Sequence, residues 1–331
     1  MAEFFSAKRA ALSNLQRGNI ERFQMRRRSR FKSRQETVAF ERFRVEDERE
    51  YVRRGHKGTG NASISIMYQG RPMRLKIRGK VPRELRGRMD QQTIRTEVRL
   101  TRTRLGYWYA FVQIEVPQTY IHSDGGAEAT GPVCALDPGV RKFQSWYDSS
   151  GSCGDVGEFG PLEEILAKAD GLQSEMTALR RGNSSYRQRR HLRRRFLRAL
   201  ERVRNRIADL QNKVASWLVH RFRLTLIPTF ETSHMVQGRF LRHRTCRGMM
   251  TWSHYSFKQK LIQQAQKYKD AIVRIVSEAY TSKTCDRCGH IHRNLGGAVT
   301  FTCPSCGHRA LRDLHAARNI LLRNLPFILG W

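Results

Sequence analysis

The spacing of apolar residues changes along the chain, and each change suggests a different kind of element. From 36 to 118 the period is two. VAFERFRV (Val38 to Val45), SISIMYQ (Ser63 to Gln69), RLKIRGK (Arg74 to Lys80), TEVRLTR (Thr96 to Arg102) and YWYAFVQIEV (Tyr107 to Val116) predict strands. Gly-rich turns such as His56-Lys57-Gly58 separate several of them. Several strands put Arg or Lys on one face and apolar residues on the other, which predicts a small β-barrel or sheet with a cationic outer wall. At Pro132 the pattern shifts to an apolar strand carrying Asp137, broken at Pro138-Gly139. A second strand, Lys142 to Tyr147, follows, and a turn at Asp148-Ser149-Ser150-Gly151 returns the chain.

Residues 161–222 read as helix. Leu192, Phe196, Leu200, Val203, Ile207, Leu210, Val214, Leu218 and Phe222 recur at spacings of three and four, one continuous apolar stripe. Leu162 to Leu179 is expected to pair with it as a helical hairpin. LTLIPTFETSHMV, from Leu224, predicts a buried strand ended by Pro228, with Glu231 just beyond. Residues 234–250 read as basic and irregular, Ser256 to Tyr268 as helix, and AIVRIVSEAY as a strand ending at Glu278. Residues 1–35 form a basic entry segment, with Phe5, Leu12 and Leu15 on one side of a short helix that stops at Gly18-Asn19.

Charge narrows the partners. Across 331 residues, Lys and Arg outnumber Asp and Glu by 62 to 29, a net charge of +33. Such an excess repels itself unless a polyanion is near, so nucleic acid is the expected partner. No apolar run approaches a membrane-spanning length, and no secretory signal precedes Ala10, so neither membrane binding nor secretion is expected. Two stretches concentrate the charge. In ERFQMRRRSRFKSR, Phe23, Met25 and Phe31 interleave with Arg26, Arg27, Arg28 and Arg30, suiting phosphate contacts with packing or stacking between them. The long helix carries ten arginines from Arg187 to Arg206, among them Arg189, Arg190, Arg193 and Arg194. A solvated tail and a solvent-facing helix are the alternatives.

The cysteines add a metal. Cys285/Cys288 and Cys303/Cys306 each sit on a turn ending in Gly-His, with fourteen residues between the pairs. Four thiolates so arranged match a closed tetrahedral zinc site, a structural type because no ligand position stays open. Two disulfides, or a mixed site using His290, His292 or His308, are the alternatives. Cys134, Cys153 and Cys246 are scattered and expected to be free, which suggests a reducing compartment.

Three strand-associated acids complete the picture: Asp137, Glu231 or Glu278, and Asp313, which opens a helix. An acid in a core strand is costly unless it is paired or binds a cation, although Asp before Pro or at a helix start also serves turns and caps. The order is strand, hairpin, helices, strand, helix, strand, metal ribbon and helix. This is the order of a ribonuclease-H-like α/β core with a zinc ribbon inserted before its last helix. Such a core brings a central-strand Asp, a strand-end acid and a helix Asp to one point. Two Mg²⁺ ions about 4 Å apart, bridged by those acids, can activate a water and stabilise the leaving oxygen of a phosphodiester.

The segments LDPGVRKF, EAYTSKTCDRCGH, CPSCGH and LRDLHAARNIL resemble the RuvC-type nuclease of the transposon-encoded TnpB proteins, and most closely the relatives called Fanzor. The resemblance runs from about residue 5 to the end. It implies an endonuclease guided by a transposon-derived RNA that cuts DNA beside a short flanking motif, with guide RNA and target DNA as partners in a monomeric ribonucleoprotein. It also implies a β-rich wedge domain and an Arg-rich helix lining the heteroduplex channel, where protein reads backbone and base pairing reads sequence. Expected domains are 1–120 (basic segment and wedge), 131–280 (nuclease core with Arg-rich hairpin), 281–310 (zinc ribbon) and 311–331 (last core helix).

Two departures stand out. Family members usually carry a longer amino-terminal part with a helical recognition lobe, and this chain is expected to lack it. Many TnpB proteins place the middle acid at the end of the fourth core strand, where this chain has Ile227-Pro228-Thr229-Phe230, and Pro cannot ligate a metal. The Fanzor-like pattern has Glu shortly before TSKTC, so Asp137, Glu278 and Asp313 are the expected triad, with Glu231 as the alternative middle acid. The expected reaction is Mg²⁺-dependent DNA cleavage with Zn²⁺ structural. A nuclease-inactive RNA-guided DNA-binding protein and an unguided structure-specific nuclease are the rivals. A eukaryotic or viral source would place the protein in the nucleus, any other in the cytoplasm.

Overall fold

The structure, a computed structural model, describes residues 36–40, 43–46, 63–68, 71–76, 98–112, 117–122, 131–182, 185–237 and 242–329. The arginines Arg26, Arg27, Arg28 and Arg30 lie outside the described residues. The chain divides into two units, Met1–Ile114 and Glu115–Trp331.

The first unit holds β1 (Glu36–Phe40), β2 (Phe43–Glu46), β3 (Ser63–Tyr68), β4 (Arg71–Lys76), β5 (Val98–Arg102) and β6 (Trp108–Val112). They pair as two three-stranded antiparallel sheets, β1-β5-β6 and β2-β3-β4. The stretch expected as one strand from Val38 to Val45 is therefore two strands that belong to different sheets. β5 returns into β6 through a turn closed by Thr103 N–H to Tyr107 O (2.8 Å) and Gly106 N–H to Thr103 O (3.0 Å). Gly106 has φ +90° there, a conformation open to glycine at little cost. Along β5, Leu100 and Thr101 are buried while Arg99 and Arg102 are exposed, and the Arg102 guanidinium lies 5.9 Å from the Trp108 ring centre.

The second unit is built on β7 (Val133–Pro138), β8 (Lys142–Asp148), β9 (Cys153–Glu158), β10 (Leu224–Pro228) and β11 (Ile272–Val276). They form one sheet in the order β11-β10-β7-β8-β9. β7, β10 and β11 are parallel, and the β7-β8-β9 pairs are antiparallel. Helix α1 (Gly160–Arg181) and helix α2 (Tyr186–Arg221) pack together as the expected hairpin. Ser185 caps α2: its hydroxyl accepts from Gln188 N–H while the Gln188 side chain accepts from Ser185 N–H.

Side chains alternate across a strand, so β7 presents Cys134 and Leu136 to one face and Ala135 and Asp137 to the other. Cys134 and Leu136 join Val214, Leu218 and Phe222 of α2 in the main core. With them pack Phe257 and Leu261 of α5 (His254–Ala265). Ala135 and Leu226 instead pack on Ile320 and Leu321 of α6 (Arg312–Leu329). The sheet is thus covered on both faces, as a sheet with parallel strands requires.

Residues 232–252, expected to be largely irregular from 234 on, contain two helices: α3 (Thr232–Gln237) and α4 (His243–Trp252). The arginines of α4 hid a tertiary anchor. Gly248, Met249 and Trp252 are buried, Trp252 packs on Phe143 and Phe159, and its indole N–H donates to Val140 O at 2.9 Å. Arg244 binds Glu163 of α1 at 2.6 Å, so the helix gains a partner that its own sequence does not announce. Gln211 breaks the apolar stripe of α2, yet it is buried because its amide donates to Trp252 O at 2.8 Å. Among the described residues, no helix is long and apolar enough to cross a membrane.

Candidate active site and metal centre

The carboxyl ends of the three parallel strands converge at one edge, the usual place for a site in an open α/β sheet. Asp137 is the fifth residue of β7, on the face covered by α6. Asp313 lies in the first turn of α6. Glu278 follows β11 by two residues. Burial pushes the Asp137 carboxyl well above the usual carboxylate range, and the neighbouring Asp313 and Glu278 raise it further, while Arg312 opposes them. Asp313 and Glu278 therefore lie near enough for their charges to act on Asp137.

Glu278 is held from several sides. Burial raises its pKa, while the Lys258 ammonium and the Phe230 backbone N–H oppose that shift. Thr281 donates to the Glu278 carbonyl through both N–H (3.2 Å) and Oγ1 (2.8 Å). Arg323 of α6 donates to the next carbonyl, Ala279 O. Glu231, the alternative middle acid, is exposed, and its carbonyl accepts from Met235 N–H at 3.2 Å. Lys258 and Arg312 were not singled out from the sequence, where one basic residue among 62 Lys and Arg carries no signal.

Buried polar groups hold the turn that follows Asp137. His254 is buried, its Nε2 lies 3.1 Å from Gly139 O in the turn after Asp137, and its Nδ1 faces Gln144 Nε2 at 3.4 Å. Burial pushes its pKa down to about 4, against the Gly139 carbonyl, so the ring is neutral near pH 7. Gly139 itself is required, because a Cβ there would meet Lys142 O at 2.8 Å.

The three carboxylates do not close tightly. Among the described residues, the four thiols are the one group of three or more Cys, His, Asp or Glu ligand atoms lying within 4.8 Å of one another. A pair of ions about 4 Å apart spans a wider set of acids than one ion does. A half-buried set of acids whose charges act on Asp137 fits divalent cations, because their charge offsets both burial and repulsion.

The cysteine centre is compact. Cys285 Sγ is 3.7 Å from Cys306 Sγ, and Cys288 Sγ is 3.6 Å from Cys303 Sγ. Sulfurs at the corners of a tetrahedron with Zn–S near 2.3 Å stand about 3.8 Å apart, whereas a disulfide needs about 2.05 Å. All four are free thiols, so the separation fits a shared zinc ion and excludes the two disulfides. Both knuckles repeat one geometry. Cys285 N–H donates to His290 O and Cys303 N–H to His308 O, each at 2.8 Å, while Gly289 (φ +75°) and Gly307 (φ +70°) turn the chain between. The hairpin β12 (Thr300–Thr302) and β13 (Arg309–Leu311) supports the second knuckle, and Phe301 is buried beneath Cys285 and Cys303.

A polar joint ties this centre to α6. The Asp286 side chain is 3 % exposed, accepts from Arg318 Nη1 at 2.5 Å, and lies 3.1 Å from His308 Nε2. Asn319 Nδ2 donates to Thr281 O (2.8 Å) and Thr284 O (2.7 Å), and His315 stacks on Phe301 at 4.3 Å. His315, Arg318 and Asn319 recur at spacings of three and four, a polar stripe on α6 that is visible in sequence once the helix is placed. The helix that carries Asp313 is thereby fixed to the segment that carries Glu278. Arg189, Arg190, Arg193 and Arg194 all lie exposed on the first half of α2.

The second unit is thus α/β, with acids near its strand ends and a cluster of four cysteine thiols that could hold a metal ion. Residues 254–320 match the family model of the Cas12f1-like TNB domain. Protein A625R of Paramecium bursaria Chlorella virus 1, named as a transposase, is 33 % identical over 207 residues, 59 % of this chain and 44 % of that protein. TnpB-like protein L79 of Acanthamoeba polyphaga mimivirus is 29 % identical over 195 residues, 57 % of this chain and 36 % of its own. The CRISPR-associated endodeoxyribonuclease Cas12f1 of Sulfoacidibacillus thermotolerans is 28 % identical over 146 residues, 42 % of this chain and 33 % of its own. The resemblance to the Fanzor/TnpB family read from the motifs is borne out by these matches. The chain spans less than half the length of these relatives.

Proposed function

We propose that this chain is an RNA-guided DNA endonuclease of the Fanzor/TnpB type, with a ribonuclease-H-like, RuvC-type core. In this reading residues 131–280 and 311–331 form the core, 281–310 a zinc ribbon, and 1–120 the wedge domain. The strongest support is Asp137, a half-buried residue whose carboxyl pKa is raised by desolvation and then by Asp313 and Glu278. Evolved cores bury charge that repels itself only where something compensates it. Similarity to an endodeoxyribonuclease supports the same reaction class.

Asp137, Glu278 and Asp313 would hold two Mg²⁺ ions, which when bound activate the attacking water and stabilise the leaving oxygen. The protein's own part is to keep three carboxylates at one sheet edge and to exclude bulk water from beneath Asp137. Arg312 and Lys258 temper the repulsion among them. The zinc centre takes no part in the reaction, because four thiolates leave no open ligand position. Arg189, Arg190, Arg193 and Arg194, exposed on one helix, supply charge for a guide–target duplex and read backbone rather than sequence. The nucleus of a eukaryotic or virus-infected cell is the compartment proposed.

The test is to purify the chain from cells carrying its native locus, sequence the bound RNA, and offer a matching duplex with Mg²⁺. A discrete RNA, cutting at its match, and loss of cutting with retained RNA in Asp137→Asn support the proposal. Bound RNA without cutting refutes the nuclease and leaves an RNA-guided binding protein. Cutting without RNA leaves an unguided nuclease.

A further inference from the structure

Strand β10 ends in Pro228, which carries neither an acid nor a backbone N–H, yet it lies where the sheet edge needs a polar partner. β10 and β11 are parallel with Pro228 opposite Val276, and Phe230 and Glu278 each follow their strand by two residues. The Phe230 backbone N–H acts on the Glu278 carboxyl, holding its pKa below what burial alone would give. Phe230 sits at φ +35°, in the left-handed region that bulky side chains rarely occupy. Its surroundings enforce that conformation. The ring packs edge-on against His254, centroids 4.9 Å apart at 77°, and His254 is itself tied to Gly139 O after Asp137. One turn further along α5, Lys258 Nζ donates to Thr229 O at 2.9 Å and pins the residue before Phe230.

We propose that Phe230 is a positioning residue for Glu278: its ring, wedged on His254, locks a left-handed backbone whose N–H aims the carboxylate toward Asp137 and Asp313. By this device the end of β10 takes part in the site through its backbone, although its side chains supply no ligand. The proposal rests on the reading of Glu278 as a metal ligand.

Substitutions separate ring from backbone. Phe230→Tyr keeps both. Phe230→Val loses the ring, and its β-branched side chain resists φ > 0. Phe230→Asn tolerates the left-handed region but has no ring. Two readouts on the full chain need no cleavage. With ¹⁵N-phenylalanine, the Phe230 amide, assigned by its loss in Phe230→Tyr, should shift in Glu278→Gln. By calorimetry with Mn²⁺ alone, Phe230→Val should bind roughly tenfold more weakly, Phe230→Asn should fall between, and Phe230→Tyr should stay within about twofold of the parent. An unmoved Phe230 amide in Glu278→Gln overturns the contact. Parent-like Mn²⁺ binding in Phe230→Val, with binding lost in Glu278→Gln, overturns the positioning role alone. Unchanged Mn²⁺ binding in Glu278→Gln refutes Glu278 as a ligand, and the proposal with it.

Discussion

His254 makes this fold acid-sensitive, and the size of the effect follows from its environment. The ring is 5 % exposed among Phe143, Phe230 and Gln144, uncharged neighbours that give an imidazolium nothing in place of water. Burial lowers its pKa from 6.5 to about 4. Unfolded chains therefore take up a proton below about pH 6.5 that the folded ring refuses until about pH 4. The stability tied to neutral His254 is fully present at pH 7 and is lost as pH falls through this window. From pH 7 to pH 5 the loss is about 2 kcal/mol. Asp137 works in the opposite sense, since its raised pKa favours the folded state as pH falls. The comparison must therefore be between parent and His254→Gln, whose amide can still donate to Gly139 O. Urea titrations followed by tryptophan fluorescence at pH 7 and pH 5 should show the parent losing about 2 kcal/mol more than the variant between the two pH values. Identical pH dependence in the two proteins would refute a buried neutral ring.

Asp137→Asn should abolish cleavage and yet raise the melting temperature in EDTA, because it removes the repelled carboxyl; a lower melting temperature would contradict the burial described for it. Cys285→Ser should lower zinc content and thermal stability together, and zinc content equal to the parent's, measured by mass spectrometry, would count against the four-thiolate centre. Asp286→Ala leaves the four thiols intact but strips Arg318 of its carboxylate, so zinc should be retained while stability falls by about 1–3 kcal/mol. Denaturant midpoints unchanged in that variant would show that the joint between ribbon and α6 contributes nothing.

Much of this protein was legible in the order of its residues. Cys285, Cys288, Cys303 and Cys306 declared a metal site because each knuckle is local, so spacing alone limits where the sulfurs can go. The apolar stripe from Leu192 to Phe222 predicted its own buried face, since helical periodicity needs no partner to be read. Alternation found the strands β3, β5, β6, β7 and β8 within a few residues for the same reason. Other features were decided only by tertiary structure. Helix α4 looked irregular because its anchors, Trp252 on Phe143 and Arg244 on Glu163, lie far away in sequence. The single stretch Val38 to Val45 became two strands because pairing partners, not propensity, assign a strand to its sheet. The preference for Glu278 over Glu231 rested on resemblance, and that the charge of Glu278 reaches Asp137 is something only the fold shows. A carboxylate's charge is written in the sequence, but its pKa depends on burial and on which other charges the fold brings near.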